Sequence, residues 1–142
     1  FYIDSIDLSS SKKEHHDSFI NVFHAIDHVQ RLYDRCCEDV YKATDLEYIE
    51  DTELDRKKVA KEFVSLVNDF ENNNWSAAVE RTEELLKYIT QRVKQLRDNV
   101  MEQVAENNIS VARGNASLDA LRWFERINIH VERLSYYLSI TT

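Results

Sequence analysis

The chain is predicted to be all-α: a single domain over residues 1–142, built as an up-and-down four-helix bundle with long antiparallel helices. Three observations carry this reading. Proline is absent and glycine occurs once, at Gly114, so the residues that break helices are nearly missing. Apolar residues recur every three or four positions in four long segments, the spacing of a helix with one buried face. Short polar runs separate those segments, and no stretch alternates as a half-buried strand does.

Residues 1–11 (FYIDSIDLSSS) mix apolar, acidic and serine residues and read as an irregular lead-in. Ser9, Ser10 or Ser11 would cap the helix that follows by accepting from its first free N–H groups. That helix is expected from about Lys12 to Tyr41, burying Phe19, Val22, Phe23, Ile26, Val29, Tyr33, Cys36 and Val40. A polar, acidic connector is expected around residues 43–52, with Thr52 capping a second helix. The second helix would bury Val59, Phe63, Leu66, Val67 and Phe70. Residues 71–74 (ENNN) form the clearest turn, because asparagine tolerates left-handed backbone angles. The third helix has the cleanest stripe: Trp75, Val79, Thr82, Leu86, Ile89, Val93, Leu96 and Val100. It should run to about Glu106, roughly 48 Å at 1.5 Å per residue, and end at Asn107-Asn108. The last helix starts at Ser110 or Ser117, Ser110 being favoured, and would bury Ala120, Trp123, Phe124, Ile127, Val131, Leu134 and Leu138.

The formal net charge is −8, which argues against a nucleic-acid partner, since phosphates require clustered Lys and Arg. It equally disfavours docking on anionic lipid. No run approaches the ~18 apolar residues of a membrane span, so the fragment itself is not expected to insert in a membrane. Cys36 and Cys37 are adjacent and lack a zinc or redox spacing, which fits a reducing compartment. The chain begins at Phe1 rather than methionine and reads as an excised piece.

Little in the chain looks like catalysis. A di-metal carboxylate bundle needs Glu-x-x-His pairs, yet Lys12, Lys13, Asn21, Ala25 and Ile127 stand three residues before the five histidines. One glycine cannot build a phosphate-cradling loop. The densest set of potential metal ligands is His24, Asp27 and His28, with both histidines expected on the face opposite the apolar stripe. His130 should border the buried stripe of the last helix. Leu118, Leu121, Ile129 and Tyr136 fall away from that stripe and form a candidate partner surface, unless residues 1–8 cover it.

The strongest internal signal is a repeat. Residues 28–32 (HVQRL) return as 130–134 (HVERL). Around these pentapeptides, residues 23–32 (FHAIDHVQRL) and 120–134 (ALRWFERINIHVERL) resemble signatures of the PhoU family of bacterial phosphate-signalling proteins. The likeness is greatest to the PhoU-like domain at the C-terminal, cytoplasmic end of bacterial sodium/phosphate cotransporters, and it covers roughly residues 15–38 and 74–138. It implies a metal site with one Glu/Asp-x-x-x-Asp pair in each repeat. Here the first pair reads Phe23-x-x-x-Asp27 and the second Glu125-x-x-x-Ile129, so each keeps half its charge. The resemblance thus implies at most weak divalent-metal binding, at Asp27 and Glu125 assisted by His28 and His130, and no other cofactor. It also implies a non-catalytic regulatory domain tethered at the inner face of the membrane. The expected partners are a transporter membrane domain in the same polypeptide and a second copy of the chain. The alternative is a helical adaptor or oligomerisation module unrelated to phosphate.

Overall fold

The computed structural model describes the backbone of residues 2–141, and the side chains of residues 12–37 and 39–141. Those residues are all-α, with five helices: α1 (Tyr2–Glu38), α2 (Val40–Glu47), α3 (Glu53–Glu71), α4 (Trp75–Ala105) and α5 (Val111–Thr141). α4 and α5 form the central pair, α3 packs on α4, and α1 and α2 lie in succession along α5. α3 and α4 are antiparallel, since Asp55 meets Arg92 at one end and Asp69 meets Arg81 at the other. α1 and α5 are antiparallel too: His24 meets Tyr137, His28 meets His130, and the Trp123 indole N–H donates to the Arg35 carbonyl at 3.0 Å.

With one glycine available, the tight turns use short polar side chains. Asp51, Asn73 and Asn107 take positive φ values of 63°, 56° and 61°, a region that Asp and Asn visit at modest cost. The expected turns at 71–74 and 107–108 therefore form as read. Ser110 caps α5, its Oγ accepting from the Arg113 N–H at 3.0 Å. Gly114 is buried inside α5, because a Cβ there would collide with the Val104 side chain on α4. It is a point of close helix approach and not a turn.

Several expectations are corrected. The lead-in is helical from Tyr2, so Ser9, Ser10 and Ser11 lie within α1 rather than at its start; the side chains of residues 2–11, including any cover that 1–8 would give, are outside the described set. The first helix breaks at Asp39, whose carboxylate lies between Arg35 and Lys42. The connector is largely α2, which brings Leu46 into the core. Thr52 does precede α3, yet its hydroxyl points backwards and donates to the Leu46 and Ile49 carbonyls, tying down the turn instead of capping the helix.

The core runs through α2, α3, α4 and α5, with Ile89, Val93, Leu96 and Leu121 at its centre. On α4 the stripe holds from Thr82 to Val100, with Leu85 buried where Leu86 was expected; at its start Ala78 is buried, while Trp75 and Val79 are half-buried. Val67 on α3 is exposed. On α5, Trp123, Leu134 and Leu138 are only half-buried, while Ser117, Asn128 and Ser135 are buried. Small polar residues suit this face because α5 is packed by α4 on one side and by α1 and α2 on another. Ser135 Oγ and Asn128 Nδ2 satisfy themselves by donating to carbonyls four residues back.

The largest correction concerns α1. Its expected core stripe faces outwards: Phe19 is 62% exposed, Ile26 58% and Tyr33 63%. Among its described residues the helix instead meets α5 along the face of His24, Ala25, His28, Leu32 and the Arg35 carbonyl, and Ala25 is the one fully buried.

Candidate functional site at the crossing of α1 and α5

The two histidines of the repeated pentapeptide touch. His28 Nδ1 lies 3.1 Å from His130 Nδ1, and the rings are tilted by 43°. One ring must lend an Nδ1–H and the other a lone pair, so at least one is neutral. Tyr137 stacks on His24 at 4.8 Å and on His28 at 5.7 Å between centroids, closing the cluster from α5. Burial pushes both His28 and His130 below their ordinary pKa. Asp27 opposes this at His28, while Arg31 and Arg133 reinforce it; at His130 the reinforcement comes from His28, Arg31 and Arg35.

His28 was expected on the face opposite the buried stripe of α1. It reaches α5 because the stripe itself is the outer face. The four expected metal ligands do not assemble. Asp27 is spent on Arg31, whose Nε donates to its Oδ2 at 2.8 Å, and that bond holds the carboxyl below its usual pKa. Glu125 sits five residues before His130, roughly 140° round the helix, and is half-buried. Among the described residues no three His, Cys, Asp or Glu side chains are grouped to hold a metal ion. Two imidazoles alone fall short of the three protein ligands of an ordinary catalytic zinc site.

The expected partner surface on α5 also divides. Leu121 is fully buried and Leu118 packs against the core, because the α4 contact wraps further round α5 than its apolar spacing indicates. Ile129 and Tyr136 remain exposed, at 36% and 41%.

Sequence reasoning missed two half-buried ionic clusters, each built on a buried aspartate, that clamp α3 to α4. Asp55, 1% exposed, accepts from Arg92 through both carboxylate oxygens at 3.0 Å and from the Tyr88 hydroxyl at 2.6 Å. Arg81 bridges Asp69 and Glu62, each at 2.8 Å. These partners lie 12 to 37 residues apart, and no local spacing reveals them.

A cleft of about 320 Å³ opens between the turn after α2 and the facing ends of α4 and α5, lined by Tyr48, Asp51, Asn99, Glu102 and Arg113 among others. Arg113 is occupied there: its guanidinium pairs with Asp45 and stacks over Tyr48 at 4.5 Å. With Glu50, Asp51 and Glu102 around it, the cleft is a poor host for an anion. Desolvation and the adjacent Cys37 raise the Cys36 thiol above its ordinary pKa, opposite to what a nucleophilic thiolate needs.

No helix among the described residues is long and apolar enough to cross a membrane. No protein-family model, curated protein or solved structure matches the chain.

Proposed function

We propose that this chain is a non-catalytic regulatory and interaction domain of PhoU-like type, serving as the cytoplasmic tail of a sodium-dependent phosphate transporter. The observation that carries the reading is the contact between His28 and His130. They hold equivalent places in the two signature segments, and they meet where α1 and α5 cross antiparallel. A local two-fold between related helices is what a degenerate duplication would leave. With α1 and α2 counted as one broken rod, four antiparallel rods follow one another in up-and-down order. Under this reading the domain acts by contact, with Ile129 and Tyr136 available to the transporter portion or a signalling partner. Divalent metal binds weakly at most, because each acid pair is broken.

The test is the coding sequence upstream of Phe1. Several apolar spans of about 20 residues are expected there; a soluble enzymatic domain in their place overturns the transporter assignment. The second reading, an oligomerisation module with no link to phosphate, is favoured by the exposed apolar face of α1.

A further inference from the structure

The outer face of α1 has the pattern of a helix-pairing seam. Phe19, Val22, Ile26, Val29, Tyr33 and Cys36 follow one another at intervals of three, four, three, four and three. That is the strict 3.5-residue repeat of a coiled-coil seam, narrower than the stripe of a helix laid on a globular core. All six are exposed. They lie roughly 100° round the helix from the Ala25–His28–Leu32 face that meets α5, so α1 can hold α5 and a second helix at once.

We infer that this seam pairs with its own copy, antiparallel, in a two-fold homodimer. Side-chain size selects the orientation. In each heptad one seam position is large (Phe19, Ile26, Tyr33) and the other small (Val22, Val29, Cys36). A parallel pair in register stacks large on large and small on small, which leaves alternating clashes and voids. An antiparallel pair about an axis between Asp27 and His28 sets Phe19 against Cys36 of the other copy, Val22 against Tyr33, and Ile26 against Val29. Every layer then holds one large and one small residue, and facing positions fill the space evenly. All six positions are used, and the interface is isologous, as a two-fold requires.

Charge and area agree with a second copy as the occupant. The net charge of −8 makes two copies repel over most of their surfaces, yet no charged residue lies in the seam. Phe19 and Tyr33, each about three-fifths exposed, offer on the order of 100 Å² apiece. With Phe23 alongside, whose ring packs edge-on against Phe19 at 4.7 Å, complete coverage of this face buries on the order of 600 Å² per copy, taking on the order of 100 Å² for each exposed large apolar side chain. Twice that reaches the ~1,200 Å² lower bound of stable protein interfaces.

The inference rests on the domain acting by contact and is independent of any link to phosphate. Its test uses the full chain in solution. Sedimentation should give a dimer, and Ile26→Glu should give a monomer whose helical circular dichroism is retained. In a Cys37→Ser background, mild oxidation of Phe19→Cys should produce a disulfide-linked dimer through Cys36, whereas Cys37→Ser alone should not cross-link. A monomer at 100 µM or a dimer indifferent to Ile26→Glu overturns the proposal. Efficient Cys36–Cys36 cross-linking in Cys37→Ser overturns the antiparallel arrangement. Upstream sequence without membrane spans would sink the transporter assignment and leave these outcomes unchanged, so the two failures are distinguishable.

Discussion

The hydrogen bond between His28 and His130 is lost if both rings are protonated, and that gives the α1–α5 contact a pH dependence whose sign can be worked out. Both imidazoles are held below the unfolded value of 6.5, chiefly by burial. The unfolded chain therefore binds protons more readily between that value and the folded ones. Their contribution is fully present above pH 6.5 and is lost as pH falls through the folded pKa values. Asp27 works on His28 in the opposite direction, but it is engaged by Arg31 and only reduces the effect. The melting temperature should drop by a few degrees between pH 7.5 and 5.5, and His130→Gln should flatten that slope; an unchanged slope in the variant would place the titration elsewhere. The Asp55 cluster makes a larger claim. Asp55→Ala leaves the Tyr88 hydroxyl and the Arg92 guanidinium without their shared acceptor. Removing one partner of a buried pair costs about 3–5 kcal/mol. Arg92 is 27% exposed and water recovers part of that, so a loss of about 3 kcal/mol is expected, lowering the midpoint by roughly 10 °C. Thermal denaturation followed by circular dichroism measures it.

At the scale of elements, α4 and α5 are held close by an absence. Gly114 leaves the space that the Val104 side chain fills, and the β-branched valine has little rotamer freedom with which to retreat. Gly114→Ala gains about 1 kcal/mol of helix propensity but forces overpacking that costs about 1–3 kcal/mol. The single variant should melt lower than the parent by a few degrees. In a Val104→Ala background the same change should raise the melting temperature; if it lowers it there too, the close approach is not the reason for the glycine. This position also shows where the sequence was readable. α4 is clear because most of its stripe and its Asn boundaries agree, and the start of α5 is legible in Ser110, which caps it. The sequence offers no reason for Gly114, because its partner, Val104, lies across a turn. α1 misled for a different physical reason. A regular apolar stripe states that a face is to be buried but not against what, and here no described residue of the chain covers it. The histidine contact had a sequence trace in the repeated pentapeptide, whereas the Asp55 and Arg81 clusters had none. Ionic partners on different helices leave no periodicity.

Across the whole molecule, stability should be graded outwards from the α4–α5 pair. The core spans α2 to α5, while α1 contributes Ala25 as its one fully buried residue among those described. From Lys12 to Ile20 every residue is exposed, and a helical segment without tertiary packing is marginal in water. A second copy laid along the seam supplies the packing that the monomer lacks. Amide hydrogen exchange can separate the two contributions, because its rates report local opening as well as global unfolding. In the parent protein at high concentration, residues 19–36 should exchange more slowly than residues 53–58 at the start of α3. In Ile26→Glu, or on dilution, exchange in residues 12–36 should accelerate by at least tenfold, while residues 85–100 of α4 stay unchanged. Acceleration spread evenly over α1 and α4 would mean that the substitution weakens the fold as a whole. Confined to α1, it would show that the first helix completes its burial only when two molecules meet.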